Sequence, residues 1–103
     1  MTRTSYKTFS GESRAKIVRK GSRFIGVGTR CEGKEVLAGT RGDMAEEFPK
    51  ATHIASASVI LESGRPVERY DNDGEPTGTA GEPILQVIKG ENLLNCGIFV
   101  IRY

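Results

Sequence analysis

The chain has no tryptophan, one histidine, two cysteines and four prolines in 103 residues. Each shortage excludes something. Cys31 and Cys96 are far apart and form no Cys-x-x-Cys pair, and only His53 could join them. A four-ligand structural zinc site therefore cannot be completed, and no metal or other cofactor is expected. Both cysteines read as buried free thiols of a reducing cytosol. One histidine with no evident nucleophile partner gives no Ser-His-Asp or Cys-His arrangement, so no catalytic residue is assigned. No apolar run approaches the roughly 20 residues of a membrane helix. The stretch Met1–Lys7 lacks the apolar core of a secretory signal. The expectation is a cytoplasmic protein with no membrane partner.

The hydrophobic fraction of 37% and charged fraction of 27% suit one folded domain spanning 1–103. The net charge of +2 hides an asymmetry. Residues 1–30 carry eight Lys or Arg against Glu12 alone, a net +7, and the remainder carries −5. Arg14, Lys16, Arg19, Lys20 and Arg23 are the candidate nucleic-acid-binding residues of this basic segment. No aromatic residues interleave with these cations, so the stacking used for single strands is missing from the local sequence. Ordinary solvated Lys and Arg on the outside of a hairpin is the competing explanation.

Ser13–Arg19 and Ser22–Cys31 read as strands joined around Lys20 and Gly21. Ile25, Val27 and Thr29 share a face, while Gly26 and Gly28 leave room for close packing. A helix over Lys34–Phe48 places Leu37, Met44 and Phe48 on one stripe, and Pro49 closes it. His53–Leu61 alternates. His53, Ala55, Ala57, Val59 and Leu61 form a small apolar face for helices, and Ile54, Ser56, Ser58 and Ile60 form a half-polar face suited to water or a partner. Val67–Tyr70 reads as an edge-like strand. A helix over about Ala80–Gly90 presents Ile84, Leu85, Val87 and Ile88, and the unbroken apolar run in Gly97–Tyr103 reads as an interior strand. The order β-β-α-β-β-α-β predicts an α+β fold, a two-layer α/β sandwich with one sheet face covered by helices and the other comparatively open.

Asp71–Pro83 differs from the rest of the chain. A calcium loop built on Asp71-x-Asp73-Gly74 fails, because Arg69 and Ala80 stand where carboxylates are required. Gly74, Gly78 and Gly81 with Thr77 and Thr79 run into a helix N-terminus, which offers donors to a phosphate or carboxylate. No Lys follows where a P-loop needs one. Thr79-x-x-Glu82 also fits a capping box, which serves the helix itself. Capping does not account for Asp73 and Glu75. The candidate ligand loop is therefore His53, Asp73, Gly74, Glu75, Thr77, Gly78, Thr79, Gly81 and Arg102, binding a phosphate-containing small molecule or acting as an enzymatic site.

Ser22-Arg-Phe-Ile-Gly26, Ala51-Thr-His53, Asp73-Gly-Glu-Pro-Thr-Gly-Thr-Ala-Gly-Glu-Pro-Ile-Leu85 and Val100-Ile-Arg-Tyr103 together resemble the Impact/YigZ family, in its order and over nearly the whole chain. The resemblance implies a fold like domain 2 of ribosomal protein S5. For eukaryotic members it implies translational control during amino-acid starvation; for bacterial members it leaves the activity open. The sequence departs from the family in having Asn72 before Asp73, and in Ile54–Ser58, where polar and aromatic residues are usual. The family's Phe-Gly-Gly and helix after Arg-Tyr are also absent, so half of a Gly-rich pocket would be missing or supplied by a second chain, for instance in a homodimer. The expected function is a non-enzymatic RNA- or ribosome-associated module in translation or its regulation. The alternatives are the small-molecule site and a protein-interaction module.

Overall fold

The computed structural model describes residues 7–19, 21–75 and 80–103, with the backbone alone at Ile17, Arg19 and Ser22. The elements run β1 (Glu12–Arg19), β2 (Ser22–Arg30), α1 (Lys34–Glu47), β3 (His53–Glu62), β4 (Arg65–Asp71), α2 (Gly81–Gly90) and β5 (Cys96–Arg102). Class and order are those the patterning predicts. One five-stranded sheet has the order β1-β2-β5-β3-β4, and every pairing is antiparallel.

Each hairpin forms for a local reason. Gly21 takes φ 80° between β1 and β2, and Ser63 and Gly64 take 53° and 78° between β3 and β4. These left-handed residues match a tight turn to the right-handed twist of its strands. The two hairpins share no hydrogen bonds with each other in the sheet. β5 inserts between them, pairing Phe99 with Val27 on one side and with Ser56 on the other.

Side chains alternate across the sheet, so β5 serves two cores. Phe99 and Ile101 join Val27, Ile60, Leu37, Met44 and Phe48 beneath α1. Cys96 and Ile98 join Ala57, Val59, Leu85, Ile88 and Leu94 beneath α2. The helices therefore lie on opposite faces of the sheet. This corrects the expectation of an open, half-polar face: α1 covers it, and Ser56 and Ser58 are each only 1% exposed. Arg41 reaches down from α1 and donates to Ser56 Oγ at 3.2 Å. The apolar residues Leu37, Met44 and Phe48 outweigh two small hydroxyls, whose burial costs little in volume. A second correction falls on Val87, which is 56% exposed while Leu85 and Ile88 carry the α2 core contacts.

Gly28 is needed for close packing. A Cβ there would lie 2.4 Å from the Phe9 ring, which seats directly on the strand. The chain leading to β1 is also tied down by a bridge from Lys7 to Leu93 and by Thr8 Oγ1 donating to the Asn95 carbonyl at 3.0 Å.

Both cysteines are buried and unpaired. Burial raises the Cys31 thiol and pushes Cys96 up to about 11, so both remain protonated thiols at neutral pH. A thiol-specific disulfide reagent should label neither in the native protein and both in denaturant. Ser58 Oγ is buried with no hydrogen-bond partner among the described residues. Ser58→Ala should consequently leave the melting temperature unchanged or raised, because an unsatisfied hydroxyl is removed.

Candidate functional site

The acidic turn after β4 is held by its own side chains. Asp73 and Gly74 adopt φ 50° and 81°, reversing the chain in two residues. The Asp73 carboxylate accepts the Ile54 N–H at 2.6 Å, and Asp71 Oδ1 accepts the Asp73 N–H at 2.9 Å. Asn72 Oδ1 accepts the Gly81 N–H at 2.7 Å. Glu75 donates its N–H to the Asn72 carbonyl at 3.0 Å, and its carboxylate meets Arg102 at 3.0 Å. Asp73 and Glu75, which capping alone left unexplained, thus fasten the turn to β3 and β5.

The capping box expected of Thr79 and Glu82 rests on Thr79, which lies outside the described residues. The N-cap of α2 is Ala80, which makes no side-chain capping bond, and Asn72, just past the end of β4, satisfies the Gly81 donor. Gly81 sits so close to β4 that a Cβ would lie 2.9 Å from the Asp71 carbonyl oxygen. Thr77, Gly78 and Thr79, with Pro76, lie outside the described residues.

His53 begins β3, paired across the sheet with Arg102. Its Nδ1 lies 2.7 Å from the Asp73 carbonyl oxygen. A carbonyl only accepts, so Nδ1 carries the proton, and in the neutral ring Nε2 keeps its lone pair. His53, Gly74, Glu75 and Arg102 line one end of a trough of about 630 Å³. Phe24, Ala55 and Val100 form its sheet side, and Ala80, Pro83 and Ile84 form the side made by α2. The structure thus brings together His53, Asp73, Gly74, Glu75, Gly81 and Arg102. Phe24 and Val100 were missed because their shared face follows only from the strand register.

The basic segment resolves differently, residue by residue. Arg14 is tied to Glu12 at 2.7 Å and holds both carboxylate oxygens of Glu47 on α1, one of them at 2.7 Å. These hydrogen bonds raise Arg14 further above its ordinary range and lower Glu47 below the carboxylate range. Arg14 is therefore a neutralised brace. Lys16 is exposed, and neither it nor Arg23 has a carboxylate partner among the described residues. The Arg23 guanidinium lies 4.0 Å over the Tyr103 ring, a cation–π contact the local sequence did not show. The Arg19 side chain and all of Lys20 lie outside the described residues.

An antiparallel sheet of two hairpins closed by a central last strand, with an acidic turn against its His–Arg row, defines an α+β domain of a specific kind. Residues 20–103 match the Impact N-terminal domain, and the chain belongs to that family. It is 36% identical to the IMPACT family member YvyE of Bacillus subtilis (strain 168), over 96% of this chain and 45% of that protein. It is 33% identical to the IMPACT family member YigZ of Escherichia coli (strain K12), over 82% of this chain and 42% of that protein. A crystal structure described as a hypothetical protein superposes with a TM-score of 0.89 at 27% identity, covering 95% of this chain and 48% of the other. The two-domain translational regulator Yih1 shares the fold, with a TM-score of 0.67 at 22% identity over 96% of this chain and 40% of Yih1. The chain spans less than half the length of each of these proteins.

Two outcomes follow from this geometry. Gly81→Ala should destabilise the domain by about 1–3 kcal/mol in denaturant unfolding, because β4 backbone blocks the added methyl. The Arg14–Glu47 pair stabilises the fold above the ordinary Glu value of 4.5 and loses that contribution as pH falls through the lowered native value. Glu47→Gln should therefore flatten the acid limb of a melting temperature–pH curve.

Proposed function

We propose that this domain is a non-enzymatic RNA- or ribosome-associated module acting in translation or its regulation. The observation that carries the reading is the surface at the turn end of the β1–β2 hairpin. Lys16, Val18 and Arg23 share one face there, with Val18 67% exposed. Tyr103 arrives from β5 to stack on Arg23. Cations without carboxylate partners beside an aromatic ring suit a phosphate backbone and an unpaired base. Lys20, at the hairpin tip in sequence, adds a further charge. Arg14 drops out of the contact set because Glu12 and Glu47 already occupy it. The description of Yih1 as a translational regulator lends support from a protein of the same fold.

The test is RNA binding measured across a salt series. Replacing Lys16, Lys20 and Arg23 with Ala should weaken binding about tenfold or more at low salt and flatten the salt dependence by about 2–3 in log–log slope. Affinity unchanged at low salt would exclude this surface.

A further inference from the structure

The trough beside α2 is a separate opportunity. It lies on the opposite face of the sheet from Lys16 and Arg23, so it does not depend on the hairpin reading. α2 packs mainly over β3 and β4, with Cys96 at the start of β5 in the same core, and leaves the same face of β2 and of the far end of β5 without a helix. Phe9 fills the Gly28 end of that bare strip, and the Phe24–Arg102–His53 row forms the other end. What remains is the cavity of about 630 Å³, within the ordinary range for a small-molecule site.

We propose that this trough binds an uncharged nitrogen heterocycle of the nucleobase class. Its faces would lie along Phe24, Ala55 and Val100, and its polar edge would meet His53, Glu75 and Arg102. The polar end offers both acceptors and donors. With Nδ1 committed to the Asp73 carbonyl, the neutral His53 ring offers Nε2 as its acceptor. Glu75, which meets Arg102 at 3.0 Å, is a carboxylate and therefore a second acceptor-only group. Arg102 retains N–H donors beyond that one contact. A carboxylate beside a guanidinium reads an edge that carries N–H donors next to a carbonyl or ring-nitrogen acceptor. Guanine presents both, through its amino and ring N–H groups and its O6 and N7.

Charge selects against the phosphate-containing ligand that the glycine pattern suggested. Glu75 lines this end of the trough and Asp73 is bonded to His53 and Ile54 beside it, with Arg102 as the cation among the described lining residues. An added phosphate would face net negative charge in a partly enclosed site, whereas a neutral base would not.

Titration of the purified chain with guanosine, adenosine and guanosine monophosphate, read by calorimetry and melting temperature, tests the proposal. Guanosine should bind one to one and raise the melting temperature. The monophosphate should bind at least tenfold more weakly, and adenosine should also bind more weakly. A short single-stranded RNA with one unpaired guanine, titrated into the hairpin triple-Ala variant so that the basic surface does not contribute, separates the two sources of the base: tighter binding of the RNA than of guanosine marks a strand as the donor, and the reverse marks a free nucleoside. Val100→Trp should fill the trough and abolish guanosine binding with unchanged circular dichroism. Phe24→Ala, which removes only a half-buried ring, should weaken binding at least fivefold if the tryptophan variant misfolds. The hairpin triple-Ala variant should bind guanosine normally, which separates failure here from failure of the RNA surface. No binding of guanosine at millimolar concentration would overturn the proposal. So would tighter binding of the monophosphate, or a light-scattering dimer that Val100→Trp dissociates, which would make the trough an interface between two copies.

Discussion

The architecture depends on the insertion of β5 between the two hairpins. Neither hairpin pairs with the other in the sheet, and β2 and β3 become neighbours only through the last strand. β5 also supplies both hydrophobic cores, with Phe99 and Ile101 fully buried under α1 and Cys96 fully buried under α2. The most distant part of the sequence from the first strands is thus the part that joins them. Its pairings close long loops, which places this domain among the non-local, slower-folding topologies.

The same strand delivers the functional groups. Arg102 and Tyr103 are neighbours in sequence, yet they face opposite sides of the sheet. Arg102 turns to Glu75 and the trough, and Tyr103 turns to Arg23 and the basic hairpin. Two candidate binding surfaces therefore share one strand end, with the sheet between them. A change in the register of β5 by one residue would exchange the two side chains and dismantle both surfaces at once.

The acidic turn shows how structural demand and chemical promise can coincide in one segment. Asp71, Asn72 and Asp73 look like ligand donors in a sequence, but each spends an oxygen on a backbone N–H of this chain. Those bonds fix the His53 ring through the Asp73 carbonyl. They also position Glu75 to pair with Arg102 in a largely enclosed site, where its side chain is 12% exposed. The braces hold the turn against β3, and the residues that face the trough with polar capacity are His53, Glu75 and Arg102.

Local patterning was enough for the elements and their order. Alternation marked β3, the helical spacing of Leu37, Met44 and Phe48 marked α1, and the unbroken apolar run marked β5 as interior, because these signals arise from nearest neighbours along the chain. The glycine-rich motif likewise carried the resemblance to the family that the chain belongs to. The helix faces were not legible: Ser56 and Ser58 suggested exposure, and only the packing of α1 decided their burial. The partners of Arg14, Arg23, Asp73 and Glu75 were equally hidden, since Glu47, Tyr103, Ile54 and Arg102 each lie 19 or more residues away along the chain. By itself the sequence determined what each segment would become, because periodicity is a local property of the backbone. The tertiary structure alone decided which charges are spent and which remain for a ligand, because that depends on groups brought together across the sheet.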